Sequence, residues 1–166
     1  CQGWGYERPE WTQHDPQARR GTLDEFRIDS QAFGGTRPVR LYVPARFRRT
    51  RRYPLLVVHD GDDYLRYAAI GTVLDNLIHR LEVAPLLDAF TQSPDRLREY
   101  AADDRHPTHL VDELLPALRA RLPLEDTPDT RCLMGASFGA VATLHTAWRR
   151  PGSFGQLLLQ SGSFAF

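Results

Sequence analysis

The chain of 166 residues has the length of one domain, enough to bury roughly two thirds of the surface its unfolded form would expose. Its 21 basic and 21 acidic residues leave a formal net charge of zero, which argues against a general electrostatic attraction to nucleic acid or to an anionic membrane. Every basic residue is arginine, so a Ser-Lys dyad, a Schiff-base lysine and a P-loop lysine are excluded from this chain.

Only Cys1 and Cys132 are present, which offers neither a disulfide framework nor a Cys/His zinc pattern. No apolar run approaches the ~20 residues that cross a bilayer, and no basic-then-apolar leader opens the chain. The expected setting is therefore cytoplasmic. A chain starting at Cys1 also fits a processed lipoprotein, periplasmic or lipid-anchored, although a trimmed sequence is the plainer reading.

Residues 1–22 mix Gly, Pro, Gln, two Trp and a Tyr without a period, as a connector does. From Leu23 the pattern turns strand-like through Phe26 and Ile28, turns at Gly34-Gly35, and resumes over Val39 to Val43 before Pro44. This predicts an antiparallel hairpin. Arg46, Arg48, Arg49, Arg51 and Arg52 follow in a polar stretch without interleaved aromatics, read as a solvated loop rather than a nucleic-acid patch. Leu55-Leu56-Val57-Val58 is a continuous apolar run suited to a strand covered on both faces.

Spacing near 3.6 predicts one helix from Tyr64 to Leu81 and a second from His109 to Leu122. Between them Leu86 to Phe90 is a weaker strand candidate, with Asp88 its awkward member. Thr130 to Met134 reads as a strand, Phe138 to Arg150 as a helix and Gln156 to Gln160 as a last strand. Strands alternating with helices predict an α/β fold with a mostly parallel sheet and helices on both faces. Residues 23–166 would form that domain.

Gly135-Ala136-Ser137-Phe138-Gly139 falls at the corner between a strand and a helix. There a serine can be held in a strained conformation while glycines on either side let backbone pass closely. The helix start supplies backbone N–H groups and the positive end of the helix dipole, with Phe138 N–H one donor for a developing oxyanion. His59-Asp60-Gly61-Asp62 follows the first apolar strand, the place where a hydrolase of this kind builds the other half of its oxyanion hole.

The chain from about residue 21 to residue 166 resembles the esterase D / enterochelin esterase-like group of α/β-hydrolases, related to mycolyltransferases and formylglutathione hydrolases. The resemblance rests on Arg37 to Pro44, Tyr53 to Gly61, Asp95 to Tyr100, Glu113 to Pro116, the serine motif, and Gln160-Ser161-Gly162-Ser163-Phe164, in that order. It implies the α/β-hydrolase fold and hydrolysis of a small-molecule ester through an acyl-enzyme on Ser137. Phe138 and Asp62 would supply oxyanion N–H groups, with Gly61, Gly135 and Gly139 the motif glycines. No metal or organic cofactor is required. Where many relatives carry a glycine pair, this chain has Gly139-Ala140.

A serine hydroxyl needs a base and an orienting carboxylate. In this fold they follow the serine in the chain, yet the 29 residues after Ser137 contain no Asp, no Glu and one histidine. That one, His145, lies eight positions along the same helix, about 12 Å away at ~1.5 Å per residue. His59 is read as a packing or loop-fixing residue. His106 and His109, near Asp103 and Asp104, form a weaker triad candidate in reversed order, and His14 and His79 have no partner to recommend them. The acid and the histidine are therefore expected beyond Phe166, with the domain incomplete, a sheet edge exposed and stability low. Arg66 or Arg96 would suit an anionic ester such as a catecholate siderophore, whereas Asp60, Asp62 and Asp63 would suit sugar hydroxyls or cap the following helix. A mycolyl-type acyltransferase and a catalytically inactive binding module are the competing readings.

Overall fold

A computed structural model describes residue 5 and residues 7–165. The expectation attached to Cys1 lies outside the described residues. Six strands form one sheet in the order β1-β2-β4-β3-β5-β6. Strands β1 (Thr22–Ser30) and β2 (Gly35–Val43) make the expected hairpin, paired from Thr22↔Val43 to Ser30↔Gly35. β2 runs antiparallel to β4 (Leu87–Thr91), while β3 (Leu55–Val58) pairs in parallel with both β4 and β5 (Arg131–Ala136), and β5 with β6 (Gln156–Gln160). A mostly parallel sheet behind an antiparallel hairpin is the α/β-hydrolase arrangement expected from the sequence.

The apolar run of β3 is explained by its central position. Val57, with Leu41, Ala89 and Leu133 across the ladder, faces one core under Leu110, Leu114, Leu115 and Leu118. Val58, with Phe90 and Met134, faces a second core under Ile70 and Leu74. Each fully buried leucine contributes roughly 1.5–3 kcal/mol. Asp88 sits in the row of Tyr42, Leu56 and Cys132, and both its carboxylate oxygens are buried without a hydrogen-bond partner. Burial pushes this carboxyl well above the ordinary carboxylate range.

The helices depart from the sequence reading at two places. The single helix expected over residues 64–81 is two, α1 (Gly61–Tyr67) and α2 (Ile70–His79), because Ala69 between them is left-handed at φ 50°. An Ala-Ala pair carries no helix-breaking signal, so the periodicity ran across the corner. After the short α3 (Arg96–Glu99), the helix expected from His109 begins earlier, as α4 (Arg105–Thr108). It passes through a π-helical turn at His109–Leu114 and ends as α5 (Leu115–Arg121). Pro116 lacks an N–H and crowds the carbonyl four residues before it, Asp112; a widened turn accommodates that defect.

α6 (Phe138–Arg149) follows β5 directly. Residues 7–21 lie along α2, tied through Asn76, whose side chain donates to Trp11 O and Gln13 O and accepts from Asp15 N–H. In the arginine-rich loop Arg49 and Arg52 donate to Arg121 O and Leu124 O. β1 and β6 are the two edge strands among the described residues, and on β6 Leu157, Leu158 and Leu159 are all exposed. Such an edge is a template for strand pairing. Among the described residues, no helix is long and apolar enough to cross a membrane.

Candidate active site

The geometry around Ser137 starts from two glycines. A Cβ on Gly135 would stand 2.2 Å from Gly139 O and 2.3 Å from Gly139 C, so strand β5 and helix α6 cross at a distance no side chain permits. Gly139 is less constrained, its Cβ meeting His59 Cβ at 3.3 Å and Asp60 Oδ2 at 3.4 Å. Between them the chain reverses at Ser137, with φ 55° and ψ −120°. That conformation is sparsely populated for any residue but glycine and costs about 1–3 kcal/mol.

Neighbouring backbone holds the corner. Ser137 N–H donates to Gln160 O at 3.0 Å, and Ser137 O accepts from Ala140 N–H and Ser163 N–H. The hydroxyl is half-buried and lies 3.1 Å from Ser163 Oγ. Phe138 opens α6 immediately after it.

The second loop arrives from the end of β3. Asp60 is left-handed at φ 52° and its carbonyl accepts from Asp63 and Tyr64 N–H. Its side chain does not cap α1; it pairs with Arg96 through Nε at 3.2 Å and Nη2 at 2.9 Å, so Arg96 is committed inside the protein. Gly61 is needed because a Cβ there would lie 2.4 Å from Phe90 Cβ. Asp62 N–H donates to Gln92 Oε1 at 3.3 Å, and its carboxylate pairs with Arg40 at 3.2 Å. Arg66 lies over the Tyr67 ring.

Two clefts flank this ground. One of about 340 Å³ is lined by Arg27, Arg37, Arg40, Asp62 and Gln92. The other, about 450 Å³, has Arg8, Trp11, Tyr64 and Tyr67 as walls and reaches Met134 and Gln160.

Five of the six histidines are engaged elsewhere, and His79 lies exposed on α2. His59 and His106 are fully enclosed and share a contact of 2.7 Å between their Nε2 atoms. His109 Nδ1 bonds Glu113, His145 Nε2 lies 3.3 Å from Asp104, Asp103 holds Arg105, and His14 meets Arg20. The reversed triad of His106 or His109 with Asp103 or Asp104 is therefore not assembled. Sequence reasoning missed Gln92 and the His59–His106 pair. Ser163 lay within the quoted Gln160 to Phe164 segment without a role.

The buried imidazoles set a pH dependence. Burial brings His59 down to about 4 and drives His106 well below the ordinary value of 6.5. Unfolded, each ring takes up a proton near pH 6.5; folded, each resists it. Stability is therefore expected to fall from pH 6.5 toward 4, by up to about 1.4 kcal/mol per pH unit for each ring. Asp88 acts in the opposite sense, because burial raises its folded pKa well above the 3.8 at which it ionises when unfolded. Asp88→Asn should accordingly steepen the acid loss. Urea midpoints at pH 7, 6, 5 and 4.5 measure both effects, and a flat profile in either protein would contradict a neutral buried pair.

The family model described as "Putative esterase" matches residues 30–165. The chain is similar to the iron(III) enterobactin esterase of Dickeya dadantii, 29% identical over 152 residues that make up 90% of this chain and 34% of that protein. A crystal structure of the Shigella flexneri enterobactin esterase superposes with a TM-score of 0.78 at 26% identity, over 90% of this chain and 38% of that one. A ferulic acid esterase shares the fold at a TM-score of 0.78 and 16% identity, over 89% of this chain and 61% of that one. The chain spans about a third of the length of the Dickeya relative.

Proposed function

The chain belongs to the esterase family, and on that premise we propose that it carries the nucleophile of a serine esterase. The observation that carries the reading is the backbone of Ser137, strained at φ 55° and ψ −120° between a strand and a helix that only glycines allow to approach. Ser137 Oγ attacks the ester carbonyl and loses its proton to a base. The oxyanion is held by the N–H groups of Phe138 and Asp62, the latter exchanging its Gln92 contact for the substrate. The alcohol departs with the proton, and water then attacks the acyl-enzyme and releases the acid. The base and its carboxylate are proposed to come from outside the described residues, since His59, His106, His109 and His145 have other partners.

The substrate class proposed is a catecholate siderophore ester. Aromatic faces with Arg8, in the cleft that reaches Gln160, suit an anionic aromatic acyl group. Hydrolysis assays of the full-length protein test this. A catecholate serine ester is expected to be cleaved with kcat/KM at least tenfold above that of a feruloyl ester; the reverse order would overturn the substrate assignment.

A further inference from the structure

His59 ends up in a place that neither arm of the serine corner supplies for itself. It directly follows β3, is completely buried, and its ring reaches both sides of the turn. Met134 O, three residues before Ser137, accepts from His59 N–H at 2.9 Å and stands 3.0 Å from His59 Nδ1. A carbonyl can only accept, so Nδ1 carries the proton. Thr143 Oγ1, six residues after Ser137 and also fully buried, lies 3.1 Å from the same nitrogen. The Thr143 hydroxyl donates to Gly139 O at 2.8 Å, so toward His59 its oxygen accepts. One N–H is thus shared between strand β5 and helix α6.

The rest of the ring is fixed as tightly. With Nδ1 protonated, Nε2 of His59 is an acceptor, and His106 Nε2 at 2.7 Å must donate to it. His106 Nδ1 is left buried without a partner, consistent with a neutral ring. Tyr100 stands edge-on to both imidazoles, with centroids at 5.0 and 5.1 Å. Gly139 brings the clamp close to the corner. Its carbonyl receives the Thr143 hydroxyl, its Cα faces His59 Cβ, and the same carbonyl is the atom against which Gly135 cannot bear a side chain.

We propose that His59 is a positioning residue for Ser137: its Nδ1–H, shared by Met134 O and Thr143 Oγ1, holds β5 and α6 at the separation that keeps the nucleophile in its strained conformation. The inference rests on Ser137 being the nucleophile. His59 acts through backbone and does not touch the reacting atoms.

The test is the rate at which a fluorophosphonate probe acylates Ser137 in the full-length protein, together with kcat and KM for an ester. His59→Phe keeps the ring volume and removes the donor. His59→Gln places an amide near Nε2 and misses the clamp, whereas His59→Asn puts an N–H near Nδ1 and restores it. A shift of the nucleophile by a fraction of an ångström to 1 Å costs roughly 10- to 100-fold. Phe and Gln variants are therefore expected to lose that much in acylation rate and kcat with KM unchanged, and Asn to recover to within about threefold. Thr143→Val, which removes the second acceptor at equal volume, should show the same loss and serves where a ring substitution prevents folding. A folded His59→Phe or Thr143→Val protein labelled at the wild-type rate would overturn the proposal, as would equal losses for Asn and Phe. Failure of the wild-type protein to be labelled at Ser137 would instead remove the nucleophile assignment itself.

Discussion

Ser137→Ala is expected to lower kcat for ester hydrolysis by the full-length protein on the order of a millionfold, because it removes the proposed nucleophile. The fold should hardly notice. Among the described residues the hydroxyl has one hydrogen-bond partner, Ser163 Oγ at 3.1 Å in a half-buried setting, so its loss costs about 1 kcal/mol or less. Alanine at φ 55° retains the backbone strain that serine has. Ser137→Gly releases that strain and should be more stable than Ser137→Ala by about 1–3 kcal/mol while equally inactive. Urea unfolding of the two variants beside wild type reads this difference. Equal midpoints would mean that the corner stores no strain for the nucleophile to use.

The largest effect on stability is expected at Gly135. In Gly135→Ala the new methyl would lie 2.2 and 2.3 Å from the carbonyl oxygen and carbon of Gly139. Both are backbone atoms of the first turn of α6, so relief requires the helix to move off β5 as a body. A loss of about 4 kcal/mol or more follows, enough to unfold a domain of ordinary stability. Gly139→Ala is the internal control. Its methyl meets a side-chain Cβ and a carboxylate oxygen at 3.3 and 3.4 Å, contacts that yield with small shifts, and roughly 1–2 kcal/mol is expected. Although the two glycines look symmetrical in the motif, their substitutions should differ by about twofold or more in ΔΔG. Similar losses for both variants would contradict the crossing geometry.

Much of this was legible in the residues. The continuous apolar run at Leu55 to Val58 marks the central strand, and the Gly34-Gly35 turn marks the hairpin, because burial on both faces and a tight reversal leave compositional traces. The glycine spacing around Ser137 pointed to the corner for a similar reason: close backbone approach demands the absence of Cβ.

What stayed hidden depends on contacts between distant segments. The break at Ala69 has no local cause, since alanine favours helix. Asp88 looked wrong for a strand, yet β4 holds it buried, where desolvation raises its pKa well above the ordinary carboxylate value. His59 and His106 are 47 residues apart in sequence, and their contact exists only because the fold brings the residue after β3 against α4. Arg96, a candidate for substrate recognition by its charge, is held by Asp60 through two hydrogen bonds that its sequence position does not reveal.

The central claim is that Ser137 is the group that becomes acylated. Incubating the full-length protein with a fluorophosphonate probe, digesting it, and locating the adduct by peptide mass tests this directly. Modification of Ser137, with none in Ser137→Ala, is the predicted result; an adduct on another residue, or no adduct on folded active enzyme, would contradict it.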